Sequence, residues 1–251
     1  MLLIAFLILG LLAGVLSGLF GIGGGIIMVP ALIIIFNKTI LQANAISLAA
    51  MLLPVGILGV IKYYQAGFID VKKALIISLG LTIGSGFGAE LALYINKNLL
   101  EKLYAAFLIY NVVSYLGFDR IKKQTKEKKH LIKHSFYNFL IIGFLAGIIA
   151  GMFGKGGGII IVPFLINFFN LDTKQATATS LAALQLPVGL PGVYLYAVNG
   201  QLEYIPAILI ALGIVIGTYF GTHLALNVSS DKFKKIYALF LLFTALSLIF
   251  K

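Results

Sequence analysis

SGLFGIGGGIIMVP, residues 17–30, returns as AGMFGKGGGIIIVP, residues 150–163, at an offset of 163 − 30 = 133. The same offset, without a gap, carries Gln42 to Gln175, the SLAA at Ser47 to the SLAA at Ser180, and the LPVG at Leu53 to the LPVG at Leu186. It also carries Tyr63 to Tyr196, Gly67 to Gly200, Gly84 to Gly217 and Gly88 to Gly221. Chance does not hold a register over such a length, so the chain contains one unit twice. Duplicated halves with matching interrupted segments are the sequence mark of many transporters, whose site lies where the repeats meet.

The surrounding composition fits a membrane. Of 251 residues, 61% are hydrophobic and 11% charged, and the mean hydropathy is +1.06. A soluble domain carries roughly 45–50% apolar and about 25% charged residues, and no water-soluble fold of this length buries so much apolar surface. A bilayer solvates it instead, across spans of about 20 residues. Long apolar stretches cover 2–19, 43–61, 74–94, 103–118, 136–152, 176–198, 206–226 and 233–250. Two shorter runs, 25–36 and 158–169, directly follow the glycine loops. The expected fold is an all-α polytopic membrane protein of two homologous halves, with about eight long transmembrane helices and two short broken ones. The units are an N-terminal repeat (1–118), a basic linker (119–134) and a C-terminal repeat (135–251). The apolar N-terminus lacks a basic leader and a cleavage site, so it is expected as the first span and not a signal peptide.

Charge sets the expected orientation. The net charge is +11, and RIKKQTKEKKHLIKH, residues 120–134, concentrates it between apolar blocks. This is expected as a cytoplasmic loop facing anionic lipid, not as a nucleic-acid surface. His130 and His134 lie in it without a third ligand, so no metal site is expected. If the short runs are crossings, each half crosses five times and the halves are inverted. Lys62, Lys72, Lys73, Lys174, Lys232, Lys234 and Lys235 then share the side of the linker. If they are not, each half crosses four times and the halves are parallel. The positive-inside rule selects the inverted arrangement, multi-pass in the cytoplasmic membrane of a prokaryote. There is no cysteine, which removes disulfides, thiolate catalysis and Cys-based metal sites.

The glycine runs are the first candidate site. A backbone without Cβ leaves helical geometry readily and admits close approach. The amides of Gly23, Gly24, Gly25 and Ile26, and in the second copy Lys155, Gly156, Gly157 and Gly158, then stand at the start of a short helix. Unpaired N–H groups and the positive dipole end suit an anion there. The structural alternative is close helix packing through small residues. Neither copy is G-x-G-x-x-G, because Ile26 and Ile159 hold the last position, and Lys155 is followed by glycine, so neither is a nucleotide loop.

The second motif is S-L-A-A-x-x-L-P-V-G-x-x-G at 47–59 and 180–192. Pro54 and Pro187 fall inside expected spans and remove backbone hydrogen bonds, giving kinks. Pro30 and Pro163 are further hinge candidates. Ser47, Ser180 and Gln185 are candidate substrate ligands, against the alternative of bonding back to their own helix. Glu90 and His223 occupy equivalent positions (223 − 90 = 133) near span ends. Intramembrane ionisable groups are costly, so they are proton-coupling candidates, or else interfacial caps.

These motifs resemble the TauE/SafE family, also called TSUP, of sulfite and organosulfur anion exporters. The resemblance rests on F-G-x-G-G-G-x-x-x-V-P at Phe20 to Pro30 and Phe153 to Pro163, and on the repeated L-P-V-G. It implies a permease for a small anion, with sulfite, sulfoacetate and related compounds as precedents, working by alternating access between the repeats. No cofactor is expected, although coupling to a proton or other ion gradient is. The partners are the anion and membrane lipid, with no nucleic acid and no nucleotide. Lys155 departs from the first copy, which has Ile22. A passive anion channel and an intramembrane enzyme on lipid-linked substrates are the alternatives. No H-E-x-x-H or G-x-S-x-G is present, and the chain is expected not to be an enzyme.

Overall fold

The computed structural model describes residues 2–20, 24–54, 57–124, 135–154, 158–169, 171–225 and 242. Among these the chain is all-helical: α1 Leu2–Phe20, α2 Gly25–Ile34, α3 Ile40–Ala50, α4 Ile57–Gln65, α5 Val71–Tyr94, α6 Lys97–Gln124, α7 Phe136–Phe153, α8 Gly158–Phe169, α9 Thr173–Ala183, α10 Leu190–Val198 and α11 Tyr204–Ala225. The duplication carries through to the elements. Shifting α3 and α4 by 133 gives the bounds of α9 and α10, since 173 − 40 = 133 and 190 − 57 = 133.

The outer surface is apolar. Along α5, Leu75, Leu79, Ile83, Phe87 and Leu91 form an exposed stripe four residues apart, while Ile77, Leu81 and Ser85 are buried. Such a stripe is stable only against lipid or another apolar surface. Two described helices, α5 and α7, are long and apolar enough to cross a membrane unaided, and α1 and α11 contribute the apolar stretches Leu2–Ser17 and Tyr204–Phe220.

The expected long spans at 43–61 and 176–198 are not continuous helices. Each is a pair of short helices, α3 with α4 and α9 with α10. The last turn of α3 closes with Met51 N donating to Ser47 O and Leu52 N to Ala49 O. The next bond but one would need a donor on Pro54, which has none. The second copy ends in the same way, with Leu184 N donating to Ser180 O and Gln185 N to Ala182 O before Pro187. Helix resumes when Ile57 N reaches Pro54 O and Leu190 N reaches Pro187 O. The prolines therefore break the helices outright, where a kink is expected from sequence. Pro30 and Pro163 lie within α2 and α8, which continue through them. Helix α6 runs to Gln124, six residues past the expected end of the first repeat, so the basic segment begins as helix. The rest of that segment, with His130 and His134, and the candidate span 233–250 apart from Leu242, lie outside the described residues.

Helix α2 folds back along α1. Gly24 packs on Ala13, and Phe36, just beyond α2, stacks on Phe6 with ring centroids 4.3 Å apart. The second copy repeats the stack with Phe139 and Phe169 at 4.5 Å.

The two repeats are joined by crossed pairing. Helix α1 packs along α11 and α5 along α7, each pair through opposed glycines spaced four apart. Gly10 lies against Ile210, Gly14 against Ile214, Gly213 against Leu7 and Gly217 against Leu11. In the other seam Gly80 faces Leu140, Gly84 Phe144, Gly88 Ile148, Gly143 Ile77 and Gly147 Leu81. Residue numbers rise together in both seams, so each pair runs parallel. A Cβ at any of these glycines would strike main-chain atoms of the neighbouring helix, so the small-residue stripe is what permits the approach. The buried cores follow the same crossing in part. One gathers Phe6, Leu9, Met28, Leu32 and Ile46 with Ile210 and Ile214 of α11, and also takes in Ala89 and Ala92 from the end of α5, Tyr104 of α6 and Phe153 from the end of α7. The other gathers Ile77 and Leu81 of α5 with Phe139, Ile142, Ile161 and Leu165. An ion pair, Lys38 Nζ to Glu203 Oε1 and Oε2 at 2.6 and 2.7 Å, ties the α2–α3 turn to the start of α11.

Candidate functional site

The described parts of the two glycine loops are buried, the first against α1 and the second against α3. In the first loop, Gly24 is the N-cap of α2 in αR conformation. Its carbonyl accepts from Ile27 N at 3.1 Å and Met28 N at 3.2 Å. Gly24 and Gly25 are both buried. A Cβ on Gly24 would lie 3.2 Å from the Ala13 Cβ and carbonyl oxygen, so a larger residue forces α1 and α2 apart. As first-turn groups, the Gly25 and Ile26 amides have no acceptor four residues back within α2. Gly23 lies outside the described residues.

In the second loop, Gly154 caps α7 with φ 63°, in the left-handed region. Its backbone rests directly on α3: a Cβ there would sit 2.6 Å from Asn44 Cα. Glycine is required on both counts. Lys155, Gly156 and Gly157 lie outside the described residues, and Gly158 opens α8.

Three side chains hold the end of α7. Tyr196 Oη donates to Gly151 O at 2.9 Å, Asn44 Nδ2 to Met152 O at 2.6 Å, and Ser47 Oγ to Gly154 O at 2.7 Å. The last carbonyls of a helix lack partners within it, and these donors supply them from α3 and α10. Ser47 is thus brought to the second glycine loop, and it bonds across to that loop and not back to its own helix. Ser180, its counterpart, is likewise buried at 2% exposure. Gln185 does bond back, its Nε2 reaching Leu181 O at 3.1 Å.

The second break is anchored as well. Ser85 Oγ on α5 donates to Val188 O at 2.7 Å, and Gly189 and Gly192 pack against Leu48 of α3. The second break thus lies against α3 and α5 of the first repeat. Pro54 and Pro187 are exposed. Glu90 is exposed on α5 and does not join the cluster. His223 lies in the last turns of α11, and its side chain is outside what is described.

Asn44, Ser85 and Tyr196 were not singled out from sequence as site residues. Two signals were available: Asn44 is an amide inside an apolar run, where Thr177 stands in the second copy, and Tyr196 is a member of the repeated Tyr63/Tyr196 pair.

Repeated helical units, discontinuous helices buried against one another and an apolar exterior make up the architecture of a multi-pass membrane transporter. Residues 6–248 match the family described as Sulfite exporter TauE/SafE, and the chain belongs to that family. It is 28% identical to "Probable membrane transporter protein YdhB" of Bacillus subtilis (strain 168), over 84% of this chain and 85% of that protein. It is also 28% identical to "Probable membrane transporter protein YunE" of the same organism, over 85% and 84%. A "Probable membrane transporter protein" of Haemophilus influenzae is 29% identical over 98% and 97%. No solved structure matches. Family and relatives are membrane transporters and not enzymes.

Proposed function

We propose that this chain carries a small anion, a sulfite, sulfonate or related organosulfur compound, across the cytoplasmic membrane of a prokaryotic cell by alternating access. The observation that carries it is the buried Gly24–Gly25 start of α2, held inside the protein beside a broken helix. Free first-turn amides and the positive end of a helix dipole stabilise an anion there without a fixed countercharge. Such a site binds strongly enough to select and weakly enough to release. Gly23 and Ile26 complete the proposed first loop, and Lys155, Gly156, Gly157 and Gly158 the second. Ser47, bonded to Gly154, and its repeat counterpart Ser180 are the proposed flanking ligands, with Gln185 at the second break. Coupling to an ion gradient belongs to the same proposal, with Glu90 and His223 as the proton candidates.

The repeats are proposed to be inverted. Phe6, early in α1, stacks on Phe36 just before α3, while Gly154, at the end of α7, lies on Asn44 in the first turns of α3. The equivalent helices α1 and α7 would then run in opposite senses. Each glycine loop and its short helix together make one passage, giving five per half. Lys72 and Lys73 then lie on the linker's side, as the positive-inside rule asks of a cytoplasmic face. The moving bodies are proposed to be the crossed assemblies, α1–α2–α3 with α11 and α7–α8–α9 with α5, because the glycine seams lock those pairs. The non-helical segments at Pro54 and Pro187 are the natural hinges.

Equilibrium binding of sulfite, sulfonates, carboxylates and phosphate to the purified protein tests the substrate class. Saturable binding of a sulfur oxyanion that is lost in Gly24→Val is expected. Binding of none of them, or of carboxylates alone, removes the sulfur assignment.

A further inference from the structure

The cluster at the end of α7 has one-sided chemistry. Asn44 Nδ2, Ser47 Oγ and Tyr196 Oη each direct a proton at a main-chain carbonyl, those of Met152, Gly154 and Gly151. Asn44 also makes a side-chain hydrogen bond to the Tyr196 hydroxyl, so what remains on these side chains is acceptor capacity, chiefly at Asn44 Oδ1 and Ser47 Oγ. Asn44 Oδ1 is the clearest case: Asn44 is 0% exposed, and Oδ1 accepts no hydrogen bond among the described residues. The amide cannot simply be turned round, because Oδ1 would then face Met152 O at the 2.6 Å now spanned by Nδ2. A buried acceptor without a donor is rare and calls for an occupant. The carbonyls beside it belong to the last turn of α7, the negative end of a helix dipole. Three carbonyl oxygens, one amide oxygen and two hydroxyl oxygens thus lie near one another, and no carboxylate among the described residues bonds to them. Among the described residues no group of acidic or histidine side chains is arranged for a metal ion. Calcium and magnesium sites ordinarily use carboxylates; neutral oxygens at a helix C-terminus suit a singly charged ion, as where half-helix ends and unwound carbonyls hold sodium in other transporters.

We infer that Asn44 Oδ1 and the carbonyls at the end of α7 form a site for a small monovalent cation, sodium being the probe. The site is one-sided in the fold, because the position equivalent to Asn44 is Thr177 (44 + 133). It joins α3 to the end of α7, where Phe153 already packs into the core that holds α3, so an ion there strengthens the tie between the two proposed bodies. That consequence rests on the transport proposal, whereas binding itself does not.

The experiment uses the purified full chain in detergent, without any anion substrate. Retention of radiolabelled sodium is measured by equilibrium dialysis, and melting temperature in sodium, potassium and choline chlorides at equal ionic strength. Saturable sodium retention and a higher melting temperature in sodium than in choline are expected. Asn44→Leu should weaken sodium binding by about tenfold or more. Asn44→Asp, similar in shape but charged, should make the melting temperature more sodium-dependent. Tyr196→Phe keeps the ring packing and should weaken binding less; it decides the matter if Asn44→Leu does not fold. Identical melting in the three salts with no sodium retained, or undiminished retention in Asn44→Leu, overturns the proposal and leaves Oδ1 to a buried water.

Discussion

Ser47 and Gly154 stand 107 residues apart in sequence, yet the Ser47 hydroxyl donates to the Gly154 carbonyl at 2.7 Å. This bond fastens the second glycine loop of one repeat to the broken helix of the other. Ser47→Ala leaves a buried carbonyl without its donor, at a cost of about 1–3 kcal/mol. A lower melting temperature is expected, with transport reduced more than expression. Ser47→Thr retains the hydroxyl and should recover part of both. Unchanged melting and flux in Ser47→Ala would make the bond incidental.

The crossed seams make a different demand. A Cβ on Gly84 strikes the Phe144 carbonyl, and one on Gly217 strikes that of Leu11. Here the obstacle is helix backbone, which cannot rotate aside. Gly84→Leu and Gly217→Leu should each cost at least the roughly 1–3 kcal/mol of an overpacked core, seen as loss of a monodisperse peak on size-exclusion chromatography. Gly67→Ala is the control. Gly67 has φ +73° with open space around it, so only the backbone penalty of about 1–2 kcal/mol applies.

Much of this architecture is written in the chain. The 133-residue offset alone sets α9 and α10 from α3 and α4, and the glycine runs mark where α2 and α8 begin. The crossing was not legible. Gly10, Gly14, Gly80, Gly84, Gly143, Gly147, Gly213 and Gly217 give all four seam helices the same small-residue stripe, which reveals a close contact but not its partner. The depth of the proline breaks was hidden for a related reason. The apolar run continues through Leu53 and Val55, and hydropathy does not register a missing N–H. Asn44 and Tyr196 act on carbonyls more than 40 residues away, and no local pattern announces such a bond.

Orientation is open to labelling, because the chain contains no cysteine. A single cysteine at Leu2 should react with an impermeant reagent from outside the cell, and one at Thr125, within the basic linker, only after the membrane is opened. Reaction of both from the same side would contradict the inverted arrangement.

Lys155 is the main chemical difference between the two glycine loops, since Ile22 is its counterpart. If its ammonium faces the anion, the attraction in a partly wet cavity is worth about 1–4 kcal/mol. Lys155→Ile should then raise the dissociation constant about fivefold or more, and more for a divalent than for a monovalent anion. Lys155→Arg keeps the charge and should retain much of the affinity, its planar fork permitting. Equal affinities for Lys155→Ile and the parent chain would leave the backbone amides as the anion ligands.

Flux itself is the most direct measurement. The purified chain reconstituted in proteoliposomes should exchange radiolabelled sulfite for unlabelled sulfite with saturable kinetics and without unitary currents. Gly24→Val, inserted normally, should be inactive, because its branched side chain pushes on Ala13 and closes the approach to the α2 amides. Exchange no faster than in protein-free vesicles for sulfite and every sulfonate tried, or full exchange by Gly24→Val, would contradict an anion path through the glycine loops.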